Sequence, residues 1–237
     1  MGENSFILFI FLIFASGLSR ETLSACFFVI RIMQVHELRK QLIFMKVKIE
    51  NATPDMASHI ASLIMEAMNA ECCQNFAGHR HTLVDFHRMM TKLVAMEDSQ
   101  YSYRNTLVAF ASNGILAGIC VAYDGAKLRQ LRRRFYDAAL EAFGIDYTGM
   151  ANETEDGEFY IDSLAVSSNF RGKGIATELL KAAIQQGAQL GIPTVGLLVD
   201  KGNPKAEALY TRLGFEYVND ATWGGHPMKH LQYKVDE

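Results

Sequence analysis

Cysteine is scarce in this chain, with four residues among 237. Cys72 and Cys73 are adjacent, which is not the C-x-x-C spacing of a metal site, and no dense disulfide framework is visible. His79 and His81 have no third ligand at the spacing of a zinc site. These absences exclude a disulfide scaffold and favour a cytoplasmic protein without a metal, because reducing compartments keep thiols free.

Neither sign of charge dominates the chain. The 23 lysines and arginines stand against 26 acidic residues, a net charge of −3, so nothing indicates a nucleic-acid binder. Internal repeats and low-complexity tracts are also absent. A hydrophobic content of 49% suits a globular domain with a substantial core.

The N-terminus lacks a complete targeting signal. An apolar run of 13 residues, Phe6 to Leu18, is shorter than the roughly 20 residues of a membrane-spanning helix. It has the length of a signal-peptide core, but no Lys or Arg precedes it. Residue 6 is Phe, which does not fit the myristoylation pattern. We predict an apolar extension over residues 1–44 and a domain over 45–237. The extension is a mis-assigned start ahead of Met45, a leader or tether, or an ordered helical segment.

The rest of the chain alternates between strand and helix patterns. Period-two or continuous apolar runs predict strands over residues 47–50, 105–111, 115–122, 159–166, 195–199 and 228–235. Helical spacing predicts helices over 55–71, over 83–96 and from 176 onward, with a loop over 74–82.

A helical insertion is predicted over residues 124–157. Its first turns are basic, with Lys127, Arg129, Arg132, Arg133 and Arg134. The sequence leaves two interpretations open: a lid that recruits an anionic group on a substrate, or a solvated face balanced by nearby acids. Trp223, in a predicted turn over 223–227, likewise lines a pocket or covers an edge of the core.

A glycine-containing turn joins the 159–166 strand to the following helix. The turn comprises Arg171, Gly172, Lys173, Gly174, Ile175, Ala176 and Thr177. The first N–H groups of a helix lack internal partners, and glycine lets the backbone approach a bulky anion, so we predict a phosphate site. The third glycine of G-x-G-x-x-G is replaced by Thr177, and Lys173 is not followed by Ser or Thr, so neither nucleotide motif fits.

The pattern that does fit is Arg/Gln-x-x-Gly-x-Gly/Ala, and a second motif follows it. That motif runs N-x-x-A-x-x-L-Y-x-x-x-G-F from Asn203 to Phe215. Together the two motifs resemble the GNAT superfamily of N-acetyltransferases over residues 158–218. The resemblance implies an α/β (α+β) fold: a mixed, mostly antiparallel central sheet flanked by helices. A V-shaped splay is expected between the motif strand and the next strand.

The resemblance also implies a role for each motif residue. Backbone groups of the motif strand would contact the pantetheine arm and thioester of acetyl-coenzyme A, at Leu164, Ala165 and Val166. Backbone N–H groups of residues 171–177 would hold its pyrophosphate. Asn203 would bind the cofactor arm, and Tyr210 would also lie near the sulfur as general acid.

Asp162 is the natural candidate for the catalytic base. The alternation of side chains along a strand puts it on the same face as Tyr160 and Val166. A carboxylate in a mostly apolar strand must reach a cleft or find a partner, and a raised pKa there suits a base. Ordered water as the base, with Asp162 only orienting the acceptor, is the other interpretation.

The predicted function is therefore an N-acetyltransferase. A primary amine, on a small molecule or a peptide, would attack the thioester of acetyl-coenzyme A directly. The alternative is a non-catalytic module that binds or senses acyl-coenzyme A. Which amine is the acceptor, and whether the protein forms a homodimer, are left open.

Overall fold

The computed structural model describes residues 47–235, and the predicted N-terminal extension lies outside them. The strands are β1 (Lys48–Asn51), β2 (Thr106–Phe110), β3 (Leu116–Asp124), β4 (Glu158–Val166), β5 (Thr194–Asp200), β6 (Glu216–Trp223) and β7 (His226–Lys234). The α-helices are α1 (Ala57–Met68), α2 (Ala70–Ala77), α3 (Leu83–Ala95), α4 (Leu128–Phe143), α5 (Ile175–Gln189) and α6 (Pro204–Arg212).

The seven strands form one sheet in the order β1-β2-β3-β4-β5-β7-β6. Every neighbouring pair is antiparallel except β4 and β5. The parallel register of that pair runs from Glu158–Thr194 only to Ile161–Leu197, although both strands continue further. The strands therefore separate beyond this point, which confirms the predicted mixed sheet and its splay.

Strand β4 contains a bulge at Asp162. Ser163 lies opposite Val121 of β3, while Ile161 lies opposite the adjacent Ala122, so Asp162 is an extra residue. A bulge interrupts the side-chain alternation of a strand. A Cβ on Gly187 would lie 3.2 Å from Phe159 Cβ, and one on Gly118 would lie 3.2 Å from Val166 Cγ2 and 3.3 Å from Leu179 Cδ1. Phe159 and Val166 thus both face α5, although they are seven residues apart.

This bulge corrects the sequence-based view of the strand. We expected Tyr160, Asp162 and Val166 to share one face. Instead Tyr160 packs with Tyr123 and Leu128, while Val166 lies beside Leu179 of α5. Residues on both faces of β4 are buried, so the strand has no regular polar–apolar alternation whose phase could show the extra residue.

Helices cover both faces of the sheet. On one face, buried residues of α1, α3 and α4 form a core with β2 and β3, including Ile64, Leu93, Val108, Val121 and Phe135. On the other face, α5 buries Leu179, Leu180 and Ala183. Burial of such side chains stabilises the sheet by about 1.5–3 kcal/mol each.

Two elements differ from the sequence expectation. The predicted helix over 55–71 ends at Met68, and α2 occupies part of the predicted loop over 74–82. Asn69 separates the helices with φ +71° and ψ 160°, and its side chain caps α2 by accepting from Cys72 N. Strand β6 was not predicted because it is an exposed edge strand with polar residues such as Asn219 and Asp220. Trp223 ends this strand rather than lying in a turn.

Candidate active site

A cleft of about 240 Å³ opens where β4 and β5 separate. Asp162 and Leu164 of β4 line it together with Asn203 and Tyr210 of the second motif. The structure therefore brings together predicted site residues from two motifs that are about 40 residues apart in the sequence. Side chains that the sequence did not single out complete the wall, among them Asn69, Tyr101, Glu153 and His226.

The glycine turn stands at the N-terminus of α5. Gly172 has φ +74° and Gly174 has φ +80°, a left-handed backbone that favours glycine at both positions. Gly174 caps the helix, and the N–H groups of Ile175, Ala176 and Thr177 belong to its first turn. First-turn N–H groups have no partner within the helix and carry its positive dipole end, so an anion fits there.

The basic side chains of this turn bind other groups of the same domain. Arg171 Nε donates to Val166 O at 2.9 Å, and its Nη2 lies 3.2 Å from Glu66 Oε2. Lys173 Nζ donates to Asn169 O at 3.1 Å. The contribution of residues 171–177 to anion binding is therefore expected to come chiefly from the backbone. These seven residues are not part of the cleft wall, and neither are Ala165 and Val166.

The open edge of β4 supplies a second set of backbone groups. Pairing with β5 ends at Ile161, so in the described chain the edge from Asp162 to Val166 that faces β5 has no strand partner. The Ala165 side chain is buried in the core, and that of Val166 lies against α5. What these residues offer a ligand is the main chain, which is the part that the resemblance assigned to them.

Asp162 is partly buried and accepts three hydrogen bonds. Ser163 Oγ donates to Oδ1 at 2.9 Å, while Tyr123 OH and Gln100 Nε2 donate to Oδ2 at 3.1 and 3.2 Å. Burial raises the pKa of Asp162, and these hydrogen bonds and the charge of Arg132 offset only part of the rise. A carboxyl group with a raised pKa can take up a proton more readily than an ordinary aspartate.

Tyr210 both packs against its own motif and lines the cleft. Its ring packs on Phe215, with centroids 5.9 Å apart, and the residue also lines the cleft. Burial raises the pKa of Tyr210, so the phenol keeps its proton at neutral pH. Asn203 caps α6 by accepting from Ala206 N at 3.2 Å, which leaves its amide NH₂ group as the donor toward a ligand.

Glu153 is the main site residue that sequence analysis missed. Its side chain is 3% exposed, and its Oε1 lies 2.5 Å from Nη2 of Arg132, which is equally buried. Burial raises the pKa of Glu153 to about 7; the charge of Asp162 adds to the rise, and Arg132 opposes it. A signal was present, since Arg132 falls on the apolar stripe of α4 with Leu128, Phe135 and Ala139. A charge on such a stripe predicts a buried counter-charge.

Ion pairs also show how the basic residues of the insertion are arranged. Arg132 pairs inward with Glu153, Arg134 lies 2.5 Å from Asp98, and Lys127 lies 3.7 Å from Asp124. Three of the five basic residues thus have acidic partners within the domain. This arrangement does not support a lid that recruits an anionic substrate group.

Comparison with known proteins settles the family. The model of the acetyltransferase (GNAT) family matches residues 95–215, about half of the chain. The chain belongs to the GNAT family. Similar GNAT relatives include GCN5-related N-acetyltransferase 4, chloroplastic, from Arabidopsis thaliana, 26% identical over 174 residues, which are 67% of this chain and 60% of that protein. Acetyltransferase Atu2258 from Agrobacterium fabrum is 31% identical over 99 residues, 41% of this chain and 71% of its own. The chain thus spans less than two thirds of the Arabidopsis relative.

Solved GNAT-like structures agree with the fold. A crystal structure described as an acetyltransferase matches with a TM-score of 0.67 at 26% identity, over 80% of this chain and all of its own. N-acetyltransferase from Staphylococcus aureus Mu50 gives a TM-score of 0.66 at 22% identity, over 78% of this chain and 99% of its own, and indicates the fold alone.

Two features are absent from residues 47–235. No helix in this range is both long and apolar enough to cross a membrane. Within the same range, no cluster of three or more His, Cys, Asp or Glu side chains could hold a metal ion.

Proposed function

We propose that this protein transfers the acetyl group of acetyl-coenzyme A to a primary amine by direct attack of the amine on the thioester. The GNAT family supports an N-acetyltransferase in general. The observation that carries the finer proposal is one cleft, at the open edge of β4, that contains both Asp162 and Tyr210. Their raised pKa values suit a proton acceptor and a proton donor.

Main-chain groups are proposed to hold the donor. The open edge of β4 from Asp162 to Val166 would hydrogen-bond the pantetheine arm, and the amide of Asn203 would assist. The N–H groups of residues 171–177 would bind the pyrophosphate, as helix N-termini bind phosphates generally. Acetyl-coenzyme A itself supplies the activated carbonyl.

The acid–base steps are assigned to two side chains. Asp162 takes the proton that the acceptor nitrogen must lose, directly or through water. The nitrogen–carbon bond forms as the carbon–sulfur bond breaks, and backbone N–H groups of β4 stabilise the negative charge on the carbonyl oxygen. Tyr210 donates its proton to the departing thiolate. General acid and base groups of this kind contribute about 10²–10⁴-fold to rate.

A turnover assay tests the proposal. The purified protein is incubated with acetyl-coenzyme A and a panel of amines: simple alkylamines, polyamines, aminoglycosides, lysine and peptide N-termini. Release of the free thiol, together with the mass of an acetylated product, should identify at least one acceptor. Binding of coenzyme A without release by any amine would instead indicate the non-catalytic binding module. Failure to bind would contradict both.

The remaining parts of the proposal concern the cell. Cytoplasmic location fits the use of acetyl-coenzyme A, although one relative is named as chloroplastic. We further propose a peptide or small-molecule acceptor, which the amine panel above tests, and a homodimer. Fractionation of cells that express the tagged full chain would test the location, and light scattering of the purified protein would test the homodimer.

A further inference from the structure

The buried carboxylate of Glu153 has one oxygen without a partner. Oε1 faces Arg132, whereas no donor of the described chain meets the buried Oε2 with hydrogen-bond geometry, and the Trp223 side chain lies only close enough to the carboxylate to lower its pKa. Burial of an unpaired charged oxygen is costly unless something binds it. Glu153 lines the cleft, so a ligand in the cleft can provide that partner.

Asp162 is the more completely hydrogen-bonded carboxylate. Ser163 donates to its Oδ1, which keeps one acceptor position for the proton that Asp162 takes up, while Tyr123 and Gln100 both donate to its Oδ2. The two cleft carboxylates therefore differ in kind. Asp162 is held in place by three donors, and Glu153 has an oxygen that no donor meets with hydrogen-bond geometry.

The charged side chains of the cleft favour a cationic ligand. The lining contains three acids, Glu153, Asp162 and Asp200, but neither lysine nor arginine. Above the pKa of Glu153, which is about 7, both carboxyls are ionised; Arg132, behind Glu153, then neutralises one buried charge and leaves the Glu153–Asp162 pair with one negative charge in excess. Asp200, which is 39% exposed, lies 3.7 Å from His226 Nδ1 at the other wall.

The uncharged walls suit an alkyl chain bearing that cation. Tyr101, Tyr160 and Trp223 line the same cleft. Burial raises the pKa values of Tyr101 and Tyr160, so both rings stay neutral. Aromatic faces accept methylene groups and attract ammonium ions.

We propose that Glu153 Oε2 receives the acceptor as an ammonium ion, which makes protonated alkylamines the preferred acceptor class of this enzyme. The inference rests on the acetyl transfer proposed above. Glu153 is the residue that binds the acceptor and determines its class, and removal of the proton stays with Asp162.

Two amines of nearly equal size test the proposal. The assays are run at about pH 8, above the pKa of about 7 of Glu153. At this pH ethylamine is still protonated, whereas 2,2,2-trifluoroethylamine is neutral because the fluorine atoms withdraw electrons. Glu153→Gln should raise KM for ethylamine at least about tenfold, the scale of one charge-assisted hydrogen bond, and change kcat by less than about threefold. KM for trifluoroethylamine should change by less than about threefold.

Glu158→Gln is the matched control. Glu158 is also a buried glutamate, but it accepts hydrogen bonds from Thr154 and Gln232 and does not line the cleft. Its substitution should leave the ratio of the two KM values unchanged. Equal changes for both amines in Glu153→Gln would show a structural role and overturn the proposal, as would no change.

A second variant controls for misfolding, and the wild type provides a further test of the proposal. Glu153→Gln leaves Arg132 buried without its counter-charge, so Arg132→Met/Glu153→Gln, which removes both charges, is measured beside it. The wild type alone should prefer ethylamine over trifluoroethylamine in kcat/KM, and the opposite preference would overturn the proposal. Absence of turnover with every amine would fail the proposed function, whereas turnover only of weakly basic amines would fail this inference alone.

Discussion

The two halves of the candidate active site are built from different kinds of groups. The half toward the glycine turn presents main chain: the open edge of β4 and, outside the cleft wall, the N-terminus of α5. The half toward the insertion presents side chains from separate elements, including Tyr101, Glu153 and Trp223. A main-chain site depends on conformation, so a short motif identifies it. A side-chain site depends on tertiary placement, so its residues are scattered through the sequence.

Tyr210 is the side chain on which the motif-defined half should depend most. We expect Tyr210→Phe to lower kcat about 100-fold, because the phenol that protonates the thiolate is lost while the ring remains against Phe215. Affinity for coenzyme A should stay within about threefold. Stopped assays of thiol release and calorimetric titration measure the two quantities. Unchanged kcat would remove Tyr210 from the mechanism.

Gly174 should be the most sensitive position of the main-chain site. Its φ of +80° is unfavourable for any β-branched residue. Gly174→Val should therefore raise the Kd for coenzyme A at least about tenfold, or about 1.4 kcal/mol, by distorting the turn.

Arg171→Ala is the contrasting substitution in the same turn. It removes a side chain that binds Val166 O and Glu66 but keeps the backbone N–H, so a change of less than about threefold is expected. Thermal melts without ligand should show that both variants fold. A normal Kd for a folded Gly174→Val protein would place the pyrophosphate elsewhere and undo the distinction between the two halves.

The smallest expected effect is a difference between two buried glutamates, Glu153 and Glu158, in how they make folding stability depend on pH. Glu153 keeps its proton up to about pH 7, whereas an unfolded glutamate loses it near pH 4.3. Between these values the native state binds the extra proton, so its stability falls as the pH rises and increases on acidification. For Glu158, burial raises the pKa, but hydrogen bonds from His230, Thr154 and Gln232 lower it below its usual value. Its contribution has the opposite sign and is lost only at lower pH.

Thermal melts of the unliganded variants measure this difference. From about pH 8 to about pH 6, the Tm of the wild type should rise by a few degrees relative to that of Glu153→Gln. The wild type and Glu158→Gln should run parallel over the same range. A constant Tm difference between the wild type and Glu153→Gln would mean that Glu153 is ionised throughout and that its burial does not raise its pKa.

The sequence predicted the fold better than it predicted the acceptor wall. The family resemblance carried by two motifs implied the mixed sheet and its splay, which the structure confirms. Edge strand β6 escaped because polar residues such as Asn219 replace the alternation of a half-buried strand. The helix break at Asn69 was not predicted because it depends on a positive φ at this one residue, and the presence of an asparagine alone does not indicate that conformation.

The acceptor wall was harder because its parts have individually ordinary sequence contexts. Glu153 lies in an acidic loop that looked solvated, and only its pairing with Arg132 shows that it is buried. Asp162 was singled out, but its orientation was derived from an alternation that the bulge breaks. Sequence periodicity cannot reveal such a register change.

The bulge means that β4 could lose Asp162 and keep its register. Without this extra residue, Ile161 and Ser163 would be adjacent and would still lie opposite Ala122 and Val121. Phe159 and Val166 would then be six residues apart, and regular alternation would leave both of them facing α5. The extra residue is therefore not required for the packing of the strand, and what it adds is a carboxyl group at the cleft. At this point of the chain, gain or loss of a single codon can add or remove an acid–base group while the buried side chains on either side keep their places.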